Sequence, residues 1–132
     1  MLQLYYTTTS IGIYEFKGKK YIELNIESTV TYNSLKSNKY DIGKNLYGEL
    51  VVKILDYLVM IEDKNLSGVN LRVTGYTKDF GDKYANSIPV KYDFIMNKET
   101  IRKYKDKDIT SQKLLDESVI LMDNERIELR LQ

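Results

Sequence analysis

The chain has 132 residues, 42% of them apolar and 30% charged, and a formal net charge of +1. That length suits one domain, here taken as residues 1–132, and buries roughly two-thirds of the unfolded surface without a disulfide or metal staple. The absence of cysteine and histidine removes thiol nucleophiles, disulfides, the usual cysteine–histidine zinc sites and every histidine-based triad.

In chain order, Leu2, Leu4 and Tyr6 alternate with polar neighbours, and "IGIYEF" forms a second short run. "KYIELNIESTVTY" is the clearest strand: Ile22, Leu24 and Ile26 point to a core, with Tyr21, Glu23, Asn25 and Glu27 on a wet face. Gly18 in "KGKK" suits the positive φ of a hairpin turn. The polar stretch "NSLKSNKYD" then leads into one long helix, about residues 41–63, with Asp41 as its expected N-cap. Ile42, Leu46, Leu50, Ile54, Leu58 and Ile61 recur at three- and four-residue steps, a broad stripe for a helix laid across a sheet. Gly43 and Gly48 weaken its first turns, and Asn65 and Gly68 supply the stop.

Beyond the helix, Val69, Leu71 and Val73 alternate with Asn70, Arg72 and Thr74, and after a long loop Val90, Tyr92, Phe94 and Met96 alternate with Lys91 and Asp93. Pro89 stands at the start of that run, where a strand tolerates it. A charged stretch near 98–117 reads as a short helical segment with Asn97 and Thr110 as caps. "SVILM", "DN" and "ERIELRL" close the chain as a hairpin with Ile127, Leu129 and Leu131 inward. The expected fold is α+β: a single antiparallel sheet of about six to seven strands, with the 41–63 helix packed across one face.

No motif marks an active site. Gly43 and Gly48 have the spacing of a phosphate loop, but Glu49 and Leu50 stand where lysine and serine or threonine are needed. An EF-hand begun at Asp79 fails at Gly81, which has no side chain to ligate calcium. Asp79, Asp82 and Asn86, or Asp106 and Asp108 in "KYKDKD", are the carboxylate groups a divalent-cation enzyme acting on a phosphate substrate would use. No metal site and no cofactor is expected from these patterns, and the balance leans away from an enzyme.

Sixteen lysines against four arginines disfavour nucleic-acid reading, which relies on bidentate arginine contacts. Twelve tyrosines are the strongest departure from average composition. Tyr5, Tyr21 and Tyr76 fall on the polar side of their strands, and exposed tyrosines suit protein contact. The connection from Thr77 to Ser87 exceeds the two to five residues of most hairpins. It centres on Phe80 and Tyr84, flanked by Lys78, Asp79, Asp82 and Lys83. An aromatic anchor with a charged rim is the composition of a contact patch, so the candidate binding residues are Tyr76, Lys78, Phe80, Lys83 and Tyr84.

The expectation is therefore a non-enzymatic interaction or assembly protein, an adaptor, inhibitor or phage or virion structural component. It would present a tyrosine-rich sheet face and the 77–87 loop to a protein partner or to copies of itself. A single-stranded nucleic-acid-binding module is the other alternative. The first lysine is Lys17, unlike a secretory leader, and no apolar run approaches the ~20 residues of a membrane span. The expected compartment is the cytoplasm or a virion, without membrane contact, although a secreted protein shorn of its leader would read the same way.

Overall fold

A computed structural model describes residues 6–58 and 63–131. Its strands are β1 (Tyr6–Phe16), β2 (Lys19–Asn33), β3 (Gly68–Lys78), β4 (Ile88–Asn97), β5 (Val119–Met122) and β6 (Glu125–Ile127), joined in that order in one sheet. Between β2 and β3 run α1 (Lys39–Leu46), a π-helical turn (Tyr47–Val51) and α2 (Val52–Tyr57), one following directly on the other. α3 (Lys98–Lys105) and α4 (Ser111–Asp116) lie between β4 and β5.

The fold class is α+β, and the sheet is antiparallel except at one pairing. The expected single antiparallel sheet with a helix across one face is what forms, with one exception that the sequence did not reveal: β2 runs parallel to β3. The physical reason is the connection itself: the α1–α2 segment carries the chain back along the sheet, and a helical crossover returns it in the same direction. The first quarter holds one long strand where two short runs are expected. β1 is continuous from Tyr6 to Phe16 with a register shift between Thr8 and Ser10. Residues 2–5, including Tyr5, lie outside the described residues.

The helix starts earlier than the apolar stripe suggests. Asn38 is the N-cap: its side chain accepts from the Tyr40 and Asp41 N–H groups, both at 2.9 Å. Asp41 returns the bond by accepting from the Asn38 N–H at 3.2 Å, so the residue expected to cap is the third residue of a capping box. The helix also ends before 63. Leu58 is extended, with ψ 134°, and the Lys105 ammonium donates to the carbonyls of Leu55 and Leu58, the first of which also accepts from the Leu58 N–H at 3.3 Å. A cation at a helix C-terminus satisfies both its orphan acceptors and its dipole. Val59 and Ile61 lie outside the described residues.

Ile42, Leu46, Leu50, Val51, Ile54 and Leu55 bury the α1–α2 stripe against Leu71, Val73, Tyr92 and Phe94. Two glycines let the layers meet. A β-carbon on Gly75 would stand 3.2 Å from Leu46 Cδ1, and one on Gly43 would stand 3.1 Å from both Leu129 and Tyr92 side-chain atoms. The helical segment expected near 98–117, open to one or two short helices, forms as two. Thr110 caps the second by accepting from the Lys113 N–H at 3.1 Å, whereas the Asn97 side chain makes no cap bond and instead accepts from the Tyr21 hydroxyl at 3.2 Å.

The face turned away from the helices is not uniformly wet. Tyr21, Ile95 and Leu121 form a second apolar cluster there, with Tyr14, Phe16 and Val119 packed against it. Beside it Asp93 is 2% exposed and Asn70 0%, although the alternation assigns both to the polar side of their strands. Cross-strand pairing explains this. Arg72 and Asp93 are register partners, and Arg72 Nε donates to Asp93 Oδ1 at 2.7 Å. Asn70 Nδ2 donates to the same oxygen at 3.0 Å. Glu23 takes the other side of the guanidinium at 3.5 Å, and the Tyr14 ring lies 5.5 Å from it.

Candidate functional site

The β3–β4 connection is the sequence's main candidate, and it is shorter than expected. Thr77 and Lys78 belong to β3, with Thr77 paired to Ile88, so the loop runs from 79 to 87. Two aspartates shape it. Asp79 Oδ1 accepts from the Gly81 N–H and Asp82 Oδ1 from the Tyr84 N–H, each at 2.9 Å. Each aspartate's carbonyl also closes a turn, to Asp82 N–H and Ala85 N–H respectively, at 3.1 Å. Aspartate readily builds such turns because its short side chain reaches the backbone two residues on.

This scaffold leaves the aromatics outside. Phe80 is 56% exposed and Tyr84 81%, and Lys83 Nζ sits 5.1 Å from the Tyr84 ring centre. Neither ring folds back onto the sheet edge. The 33–38 turn joins them: the Ser34 N–H donates to the Lys78 carbonyl at 2.9 Å, and the Leu35 side chain lies 3.9 Å from where a β-carbon of Gly81 would stand. Leu35 is 70% exposed and Ile88, at the loop's far end, 63%. Four apolar side chains therefore face solvent at one end of the sheet, with Lys36, Lys78 and Lys83 on the same two segments. Leu35 is the one apolar residue in a polar turn, and Ile88 stands directly before Pro89; those were the available signals for both.

Lys83 and Tyr84 meet at the tip, Phe80 stands exposed on the same loop, and Lys78 sits half-buried at its base. Tyr76 does not join them. It is half-buried two residues before Lys78, opposite Pro89. Its hydroxyl donates to the Glu27 carboxylate, and that bond raises its pKa above the usual 10.0. The tyrosine-rich sheet face is reduced in the same way. Tyr21 is 5% exposed, and Tyr32, Tyr47 and Tyr92 spend their hydroxyls on Asn45, the Ser111 carbonyl and the Lys39 carbonyl. Most of the described tyrosines serve packing.

The carboxylate candidates do not converge. Asp79 and Asp82 hold the loop's own backbone, and Asp106 and Asp108 are exposed around the turn that follows α3. Among the described residues no group of three or more aspartates or glutamates could hold a metal ion, and no helix is long and apolar enough to cross a membrane.

A separate open groove of about 740 Å³ lies between α1 and the C-terminal segment, lined by Tyr40, Lys44, Arg126, Ile127, Glu128 and Arg130. It gathers two of the four arginines beside Tyr40 and Ile127. Comparisons with protein-family models, curated proteins and solved structures found no match to the chain.

Proposed function

We propose that this chain is a non-enzymatic interaction or assembly protein that contacts a protein partner through the loop end of its sheet. The observation that carries this is the exposure of Phe80 and Tyr84 on a loop whose own hydrogen bonds fix its shape. A loop already ordered in the free protein gives up little conformational entropy on binding. Exposed aromatics supply contact area at low cost, and an apolar centre with a charged rim is the usual anatomy of an interface. Lys36, Lys78 and Lys83 outnumber Asp79 and Asp82 on the two segments that meet at this end, which suits a partner with an acidic margin. An adaptor, an inhibitor or a phage or virion component is the class of protein in question.

The test is a double variant, Phe80→Ser with Tyr84→Ser. Both side chains are exposed, so the melting temperature should change by no more than about 3 °C. A partner that co-purifies with the native chain should be lost. Retention of the same partner by the double variant refutes the reading. A second reading, a single-stranded nucleic-acid module, draws on the groove of Tyr40, Lys44, Arg126 and Arg130. It requires affinity that falls steeply with salt, and no oligonucleotide binding at low salt removes it.

A further inference from the structure

The sheet ends differently on its two sides. β6 spans only Glu125–Ile127 and carries two charges in three residues, the short, charged form in which natural edge strands are blunted. β1 spans Tyr6–Phe16 and carries a single charge, Glu15. Its free edge can be read from its hairpin. Phe16 and Lys19 flank a two-residue turn whose members, Lys17 and Gly18, have φ of 50° and 78°, the primed turn that matches strand twist. The flanking pair exchanges its backbone hydrogen bonds, and bonded and non-bonded pairs then alternate along the ladder. Gly12 and Tyr14 therefore turn their N–H and C=O groups toward β2, and Ile11, Ile13 and Glu15 turn theirs outward. The Lys20 carbonyl fixes this phase. Lys20 is the partner of Glu15, and its carbonyl bonds away from β1, accepting from the Ser67 N–H at 2.7 Å.

The side chains on this edge are as open as its backbone. Ile11 is 71% exposed and Ile13 60%; they face the helix side of the sheet, where none of the described helices covers them. Among the described residues β1 is thus a long edge with exposed isoleucines and one charge, the kind of surface that another strand completes.

We propose that β1 is a homodimerisation edge, on which two copies pair antiparallel about a two-fold axis at Ile13. The outward parity of residues 11, 13 and 15 makes this register a bonded one. Ile13 exchanges bonds with the partner's Ile13, and Ile11 and Glu15 with the partner's Glu15 and Ile11, about six main-chain hydrogen bonds in all. The side chains agree with it on both faces. On the helix side the two Ile13 side chains meet. On the other face Tyr14 comes opposite the partner's Gly12, and the space over Gly12 is empty, since a β-carbon there would meet nothing within 4 Å. The Tyr14 ring keeps its place beside the Arg72 guanidinium of its own copy, so the glycine leaves that pair free of a clash. Charge does not oppose the pairing. The two Glu15 side chains stand four strand positions apart, roughly 14 Å, beyond the Debye length at physiological salt. A single strand pair is small beside a standard interface of ~1,600 Å², so the dissociation constant should be on the order of micromolar.

This edge and the loop patch are different surfaces, and either can fail without the other. The test uses the full chain in size-exclusion chromatography with light scattering over a wide concentration range. The mass should rise from 15.5 kDa toward twice that value as concentration increases. Ile13→Lys puts two ammonium groups at the axis and should weaken dimerisation at least tenfold, with no loss of melting temperature in the monomer. The cysteine-free sequence allows a check of register. Under mild oxidation Ile13→Cys should give a disulfide-linked dimer, because bonded partners stand ~5.5 Å apart between Cα atoms, and Glu15→Cys should not. A mass that stays at 15.5 kDa at all concentrations, a dimer indifferent to Ile13→Lys, or Glu15→Cys cross-linking as readily as Ile13→Cys overturns the proposal.

Discussion

Removing Arg72 is the most informative change to the fold, because it isolates the buried charge on the face away from the helices. The Asp93 side chain is 3% exposed. It receives two bonds from Arg72, Nε at 2.7 Å and Nη2 at 3.4 Å, and one from Asn70 at 3.0 Å. Arg72→Ala leaves that carboxylate with the amide alone. Two unit charges at about 4 Å and an effective dielectric near 20 attract by ~4 kcal/mol. The Arg72 side chain is itself 29% exposed, so water screens part of this and can reach Asp93 through the space left behind. Loss of one partner from a buried pair costs ~3–5 kcal/mol, and the lower figure, about 3 kcal/mol, applies here. For a chain of this size that lowers the melting temperature by roughly 10 °C. Urea unfolding measures it as a shift in midpoint at constant slope. Arg72→Met combined with Asp93→Leu should recover most of the loss, since an apolar pair leaves no charge behind. A cost below about 1 kcal/mol for Arg72→Ala, the value of an exposed pair, would refute the claim that this network is buried and structural.

Further predictions concern glycines and phenols. A β-carbon on Gly68 would stand 1.9 Å from the Met96 carbonyl oxygen; Gly68→Ala must push two backbones apart and should cost about 3 kcal/mol in urea unfolding. Gly48 has nothing within 4 Å of that position, so Gly48→Ala should raise stability by up to about 1 kcal/mol, and a loss would show that the π-helical turn needs glycine there. Burial, with a smaller contribution from Glu49, pushes the Tyr32 phenol up to about 12, and burial also raises Tyr47 and Tyr92. Their protonated forms belong to the folded state, so this stability is complete below pH ~10, the unfolded value, and is lost as pH climbs toward 12. Melting temperature should hold up to pH ~10 and then fall; ionisation of every described phenol near pH 10 without unfolding would contradict their burial.

Much of the fold was legible because burial follows period. Leu71 and Val73 on β3 and Phe94 and Met96 on β4 alternate as strands do, and all four are fully buried beneath the helices. The turns at Gly18 and at Asp123 and Asn124 were legible from residues that tolerate positive φ. The parallel β2–β3 pairing was not, since alternation reads the same whichever way a neighbour runs. The helix start was missed because Asn38 and Asp41 are both good caps by type, and only their reciprocal bonds separate cap from third residue. Loop length and composition singled out Phe80 and Tyr84 but did not fix their exposure, since rings on such a loop can equally fold back onto the sheet edge. Tyr76 was not separable from them, because its bond to Glu27 crosses from another strand. Leu35 joined the patch through a contact between two turns distant in sequence, which no local pattern carries.

The central claim, that the Phe80–Tyr84 tip is a contact surface, is tested most directly by site-specific photocross-linking. A benzophenone side chain placed at Tyr84 in cells of the native source, compared with the same group at the exposed Glu99 on α3, reads out what touches the tip. The account predicts one defined protein adduct from position 84 and none from position 99. No adduct from 84, or the same adducts from both positions, would contradict it.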